Sequence, residues 1–127
     1  MAQFILHIMD VAAWDTAQAG GTDYRVESLE TQGFIHFSTA KQMPGTAQKH
    51  YAGRADLRLL VVEVAKLTAK LVYEPPINPD GRPSSTSTEL FPHLYGALNL
   101  DAVHDSVDFP INPDGTFTLP EWLQYAV

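Results

Sequence analysis

The segment from residue 57 to residue 65, LRLLVVEVA, is a nearly continuous apolar run in which only Arg58 and Glu63 carry charge. Its aliphatic and β-branched residues favour a strand, and a strand that is apolar on both sides needs cover on both faces. We therefore predict a central strand here. A chain of 127 residues supplies one core of ordinary size, so residues 1–127 are expected to form a single domain.

Shorter elements are predicted around this central strand. Residues 3–8, QFILHI, indicate a first strand, and Asp10 can cap a helix that Gly20 and Gly21 end. The other predicted elements are a helical turn over 27–33, strands at 34–38 and 71–74, a helix capped by Ser38 or Thr39 that runs to about Tyr51, and a last strand near 102–109. Short strands and helices without regular βαβ alternation predict an α+β fold.

The stretch 75–88, PPINPDGRPSSTST, is rich in turn-forming residues and has no apolar periodicity. We predict a long loop there, and loops of that length are often mobile or functional. The hexapeptide PINPDG occurs at 76–81 and again at 110–115, and both copies predict a turn. The flanking sequences differ, so the two copies do not indicate a repeat architecture.

The charge balance and the composition exclude several classes of function. Fifteen acidic and eight basic residues give a formal net charge of −7, and no basic run could follow a phosphate backbone, so nucleic acid is not expected as a partner. The absence of cysteine excludes disulfides, thiolate metal ligands and thiol nucleophiles. The start MAQFILHIMD lacks the pattern of a signal peptide, and no segment reaches ~20 apolar residues. A cytoplasmic protein with no membrane partner is expected.

Three histidines lie in apolar surroundings: His7 in FILHI, His36 in GFIHFST and His93 in FPHLYG. Alternation along the strand 34–38 places Phe34, His36 and Ser38 on the same face. His7 and His36 can each be interpreted as a core histidine bonded to backbone or as a site residue. The proline and glycine around His93, after a long loop, favour a functional interpretation of that residue.

Two carboxylates could join such a site, because Glu74 ends a predicted strand and Glu89 opens the segment ELFPH. No GxSxG, GxGxxG or Walker-type motif is present. No close-spaced pair of metal ligands such as HExxH occurs either, so the predicted site holds no metal. A metal-dependent hydrolase that uses His7, His36 and His93 remains an alternative hypothesis.

The segments GFIHFST, QMPGTAQKHYAGRADLRLLVVEV, VYE and ELFPHLYGALNLDAV follow one another as in the bacterial domain-of-unknown-function family 952, and the chain resembles that family from FILHI to AVHDSV. The resemblance implies an ADP-ribosyltransferase-like fold, in which two small, mostly antiparallel sheets with flanking helices surround a cleft that binds NAD. It therefore implies NAD or a related phosphoribosyl metabolite as a small-molecule substrate, with no further cofactor predicted.

The resemblance also implies roles for individual residues. His7 is similar in position to a histidine that holds the adenosine ribose in that superfamily, although Ile and Met follow it where Gly and Thr are usual. His36 resembles the position of an aromatic residue that stacks on nicotinamide, and we expect His7 and His36 to face one cleft. The implied substrate-binding residues are His7, Ser38, Thr39, His93 and Tyr95, and the implied catalytic residues are His36, Glu89 and Glu74.

In this scheme a carboxylate from Glu74 or Glu89 stabilises the positive charge that develops at the anomeric carbon when the nicotinamide glycosidic bond is cleaved or transferred. The superfamily's catalytic acid has no secure counterpart in the sequence. The alternative hypothesis is therefore a non-catalytic nucleotide-binding or regulatory module that has the same fold without the acid.

Overall fold

The computed structural model describes residues 3–21, 23–78 and 80–124. Its strands are β1 (Phe4–Asp10), β2 (Ile35–His36), β3 (Leu57–Glu63), β4 (Lys70–Glu74), β5 (Phe91–Tyr95) and β6 (Val103–Asp108). Its helices are α1 (Val11–Gly20), α2 (Glu27–Thr31), α3 (Met43–His50) and α4 (Glu121–Gln124), with short 3-10 turns at Val64–Lys66 and Leu100–Ala102. The α+β class predicted from the sequence is confirmed. In the described ranges, no helix has both the length and the apolar composition needed to cross a membrane.

The strands form two antiparallel three-stranded sheets. The first sheet has the order β1–β3–β6 and the second the order β2–β5–β4. In the first sheet β3 is central, because Leu60 pairs with His7 on one side and with Ser106 on the other. The two sheets meet where the amide of Leu6 donates to the carbonyl of Ser38 at 2.7 Å and the amide of Ser38 donates back at 2.8 Å.

The first sheet is covered on both faces, which confirms the prediction of a central buried strand. One face packs against α3 and the chain that follows β6, and this cluster includes Leu6, Ile8, Met43, Ala47, Leu59, Val61, Phe109, Phe117 and Leu123. The other face packs against the second sheet and α1, and this cluster includes Ile5, Met9, Trp14, Tyr24, Ile35, Phe37, Leu60, Val62, Leu94 and Leu98. Alternating residues of β1 thus enter two different clusters, as strand geometry requires.

Helix α1 begins and ends as the sequence predicts. The Asp10 side chain accepts a hydrogen bond from the amide of Ala13 at 2.7 Å, which satisfies one of the free amides of the first turn. Gly21 ends the helix with a φ of +64°, and its amide donates to the carbonyl of Gln18. A left-handed glycine is a common helix terminator because it lacks a Cβ atom.

Helix α3 begins later than predicted, because the residues before it form a separate turn. We expected a helix from Ser38 or Thr39 to about Tyr51, but it starts at Met43. The amide of Thr39 donates to Oε1 of Gln42 at 3.0 Å, and the amide of Gln42 donates to Oγ1 of Thr39 at 3.2 Å. This reciprocal pair has the form of a capping box and closes the turn that leads into the helix.

The strand predicted over 34–38 is also shorter, since its ladder with β5 covers only Ile35–His36. The amide of Phe37 still reaches the carbonyl of Pro92 at 3.0 Å, after which Ser38 turns to pair with β1. The segment therefore leaves the second sheet to join the first, and this crossover ends the strand.

Both copies of the hexapeptide PINPDG form turns, as predicted. In each copy the glycine amide donates to the asparagine carbonyl at 2.9 Å. The isoleucine of each copy pairs across the turn, Ile77 with Pro83 and Ile111 with Phe117. The first copy lies in the connection between β4 and β5, and the second follows β6.

Candidate functional site

Polar side chains gather on the side of the second sheet that faces away from the first sheet. The other side of β2, β4 and β5 is apolar and enters the core, so alternation along the strands leaves this side for polar groups. His36 lies opposite His93, and Tyr95 lies opposite Lys70. We call this side the outer face and define it by Phe34, His36, Lys70, Glu74, His93 and Tyr95.

The carboxylate of Glu74 is the centre of the outer face. Its Oε1 atom accepts the hydroxyl of Tyr95 at 2.5 Å and lies 2.9 Å from Nδ1 of His93. An ionised carboxylate only accepts hydrogen bonds, so Nδ1 of His93 carries a proton. The Tyr95 hydrogen bond, followed by that of His93, holds the pKa of Glu74 below its usual value. Glu74 is therefore ionised at neutral pH, and its Oε2 atom has no partner within the described ranges.

The His93 ring is enclosed by its neighbours but retains one unbonded nitrogen. Phe34 stacks on the His93 ring with ring centroids 4.1 Å apart and planes at 15°. The His93 side chain is only 2% exposed. The Nε2 atom of His93 has no hydrogen-bond partner among the described residues. In the same residues, every fully buried side-chain nitrogen or oxygen has a hydrogen-bond partner. Nε2 must therefore have some accessible surface. In the tautomer that carries its proton at Nδ1, Nε2 has a lone pair.

His36 lies beside this ring on the exposed side. The centroids of the two imidazoles are 5.3 Å apart, and Nε2 of His36 lies 2.5 Å from Oε1 of Gln32. Although His36 is exposed as a residue, its ring packs edge-on against Phe34. This desolvation, and then the neighbouring His93, lower the pKa of His36 below its usual value, so the ring is neutral at pH 7.

His7 does not share the outer face with His36. Its Nδ1 lies 2.7 Å from the backbone carbonyl oxygen of His36, so Nδ1 donates, and Nε2 accepts the hydroxyl of Tyr24 at 3.2 Å. Its ring packs against Phe37, a core residue, and burial lowers the pKa of His7 to about 4. The expectation that His7 and His36 face one cleft is not supported, because the two rings have different neighbours. The His7 ring contacts Tyr24 and Phe37, whereas the His36 ring contacts Phe34 and His93.

The remaining predicted residues, Ser38, Thr39 and Glu89, do not belong to the outer face. Ser38 is buried, and its hydroxyl lies 3.0 Å from the hydroxyl of Thr46 in α3. The Thr39 hydroxyl is part of the capping turn before that helix. Glu89 is exposed before β5, and its carboxylate has no partner in the part of the chain that the structure describes. Of the two predicted acids, only Glu74 contacts a histidine, namely His93.

The structure does not bring the three histidines into a metal site. Among the residues described, no three metal-ligating side chains converge. Both ring nitrogens of His7 already have protein partners, so His7, His36 and His93 cannot act together as the metal-hydrolase hypothesis requires. Two surface depressions, of about 280 and 430 Å³, are lined by none of the outer-face residues.

Residues 8–106 match the family described as "Protein of unknown function (DUF952)". The chain belongs to the DUF952 family. It is also similar to protein CC0527 from Caulobacter crescentus, a structural-genomics target. The sequence in the crystal structure of that protein is 34% identical to this one, and the two structures align with a TM-score of 0.75. The alignment covers 95% of this chain and 98% of that chain. No curated protein matches the sequence.

Two further structures of CC0527 give the same result. A double-methionine variant is 33% identical with a TM-score of 0.74, covering 95% of this chain and 98% of that one. The solution NMR structure is 31% identical with a TM-score of 0.64, covering 89% and 90%. This DUF952 chain thus has solved relatives over nearly its whole length.

The sequence did not identify three residues of this candidate site, namely Gln32, Phe34 and Lys70. Phe34 stacks on His93, and Gln32 bonds His36. Alternation along the predicted strand places Phe34 on the same face as His36, but its contact with His93 was not predicted. Gln32 lies just after α2. Gly33, with a φ of +88°, turns the chain between Gln32 and β2. No periodic pattern crosses such a turn, so the Gln32 contact had no signal in the sequence.

Proposed function

We propose that the outer face is a small-molecule site in which Glu74 is the anionic group and His93 the proton acceptor. The observation that supports the proposal is that Tyr95 and His93 share one carboxylate oxygen of Glu74. Tyr95 and His93 both bond Oε1 of Glu74, which fixes the carboxylate and leaves Oε2 unbonded within the described ranges. A histidine oriented through Nδ1 by a carboxylate is a common arrangement for general-base catalysis, since it directs the free Nε2 toward a substrate.

We further propose NAD or a related phosphoribosyl metabolite as the ligand, in keeping with the ADP-ribosyltransferase-like fold that the family resemblance implies. Cleavage at the nicotinamide ribose produces positive charge at the anomeric carbon, and a fixed carboxylate stabilises such charge. Glu74 is preferred to Glu89 for this role because two donors orient it beside an imidazole. Lys70, whose positive charge lowers the pKa of Glu74 further, is the cation that we assign to a ligand phosphate.

The proposed step uses His93 as the base. Its Nε2 accepts a proton from a water or acceptor hydroxyl while the oxygen of that group bonds to the anomeric carbon. The bond from that carbon to the nicotinamide nitrogen breaks, and its electron pair leaves with nicotinamide. The imidazolium that forms is stabilised by Glu74 through the hydrogen bond already present.

The test is calorimetric titration of NAD into wild type, Glu74→Gln and Glu89→Gln, together with an assay for released nicotinamide. We expect Glu74→Gln to reduce binding or turnover by roughly tenfold or more, as loss of a charged hydrogen-bonding group does, and Glu89→Gln to behave as wild type. Binding without nicotinamide release would support the non-catalytic module. No binding of NAD to folded wild type, or equal effects of the two variants, would contradict the proposal.

A further inference from the structure

The two PINPDG turns have the same backbone hydrogen bonds at their asparagine and glycine but hold their aspartates differently. In the first copy, Oδ1 of Asp80 accepts one hydrogen bond, from the amide of Arg82 at 3.0 Å. In the second copy, Oδ1 of Asp114 accepts both the amide of Thr116 at 3.0 Å and its hydroxyl at 2.6 Å. Within the described ranges, no other side-chain hydrogen bond holds either carboxylate. The additional hydroxyl is therefore the difference between the copies.

A small network orients that hydroxyl. The amide of the Asn112 side chain donates to Oγ1 of Thr116 at 3.0 Å and to Oγ1 of Thr118 at 2.8 Å. With its acceptor side occupied, the Thr116 hydroxyl donates its proton to Asp114 and lowers the pKa of that carboxyl below its usual value. The first copy has no equivalent, because residue 82 is arginine and the Asn78 side chain has no partner among the residues described.

We propose that Asp80 is a site of spontaneous isomerisation to isoaspartate and that Asp114, in an identical hexapeptide, is protected. Aspartate followed by glycine is prone to this reaction, because a glycine has no Cβ to hinder attack by its own amide nitrogen. Asp80 and Gly81 are both exposed, and no heavy atom lies within 4 Å of the position that a Cβ of Gly81 would occupy. The position of a Cβ on Gly115 is equally open, so crowding at the glycine does not distinguish the two copies.

The reaction conserves all atoms. The Gly81 amide nitrogen bonds to Cγ of Asp80, and one carboxyl oxygen leaves as water with the amide proton and the carboxyl proton. Water then opens the succinimide at either carbonyl, which restores aspartate or yields isoaspartate. The protonated carboxyl is the reactive form, since hydroxide is a better leaving group than oxide. A hydrogen bond that stabilises the carboxylate and fixes the side chain therefore slows the first step.

This modification would lie in the connection between β4 and β5, the two strands that carry Glu74 and His93. Isomerisation routes the main chain through the aspartate side chain and adds one methylene to the backbone. The turn amide of Gly81, which donates to Asn78, would then be displaced. The modified loop is expected to lose this turn while the second hexapeptide keeps its own.

The experiment incubates the folded full chain at neutral pH and follows isoaspartate at residues 80 and 114 by peptide mapping. We expect accumulation roughly three- to tenfold faster at Asp80, a ratio consistent with one hydrogen bond of ordinary strength. Thr116→Val should raise the rate at Asp114. Arg82→Thr should lower the rate at Asp80, whereas Arg82→Val, which has the same branched shape without the hydroxyl, should not.

The chain unfolded in urea serves as the control, because the native hydrogen bonds are absent there. The two sites are then expected to react at similar rates. Equal rates in the folded protein would overturn the proposal. So would the same ratio in the unfolded chain, which would assign the difference to local sequence, and so would equal effects of Arg82→Thr and Arg82→Val.

Discussion

The Nδ1 atom of His7 lies 2.7 Å from the backbone carbonyl oxygen of His36, so a buried imidazole of the first sheet supports the strand that presents an exposed imidazole in the second. Its other nitrogen accepts the hydroxyl of Tyr24. His7 therefore connects three segments of the chain inside the core. It supports the outer face through the backbone of His36.

The two hydrogen bonds of His7 should contribute measurably to the free energy of unfolding. We expect His7→Leu to lower the free energy of unfolding by about 2–4 kcal/mol, because it leaves the Tyr24 hydroxyl and the His36 carbonyl unpaired. Tyr24→Phe removes one of these bonds and should cost about 1–2 kcal/mol. Urea unfolding of both variants measures the difference. A His7→Leu protein no less stable than Tyr24→Phe would show that the bond to His36 contributes little.

The lowered pKa of His7 predicts a pH dependence of stability. The unfolded chain binds a proton at His7 below its usual pKa of 6.5, whereas the folded protein does so only near 4, so stability falls as pH drops from 6.5 toward 4. The loss approaches ~3 kcal/mol at the lower end of that window. Unfolding measured across these pH values in wild type and His7→Asn provides the test, since asparagine can donate to His36 without titrating. An equally steep slope in His7→Asn would assign the effect to other groups.

The Tyr95 hydroxyl should control the ionisation of Glu74. Tyr95→Phe is expected to raise the pKa of Glu74 toward its usual value of 4.5, because the largest stabilising hydrogen bond is lost. Stability from this carboxylate is present above pH 4.5 and is lost as pH falls through the lowered pKa, so the variant should lose it at a higher pH. Carbon-detected NMR titration of Glu74 measures the shift. Tyr73→Phe is the control, since that hydroxyl contacts Gln3 and should leave Glu74 unchanged.

Gly96, directly after β5, should not tolerate a side chain. Its φ is +155°, and a Cβ there would lie 2.7 Å from the Cβ of Ala69. We expect Gly96→Ala to cost about 1–3 kcal/mol through overpacking and backbone strain. Gly45→Ala, in the exposed first half of α3 with open space around it, should instead stabilise by about 0.5–1 kcal/mol. If Ala69→Gly fails to restore stability to Gly96→Ala, the close contact is not the cause.

The features that the sequence determined by itself depend on neighbours along the chain. The division of β1 between two clusters follows from a period of two, and the burial of β3 follows from its continuous apolar run. The cap at Asp10 and the two PINPDG turns depend on hydrogen bonds that span a few residues. Such features need no knowledge of distant partners, and all of them are present in the structure.

The composition of the candidate site was decided by tertiary structure. Glu74 and His93 are nineteen positions apart and meet because β4 and β5 pair antiparallel in one register. His7 and His36 share an apolar context in the sequence, but β1 and β2 belong to different sheets, which turns one ring into the core and leaves the other on the surface. Strand pairing is set by how two apolar faces fit together across the whole core, and no local pattern contains that information.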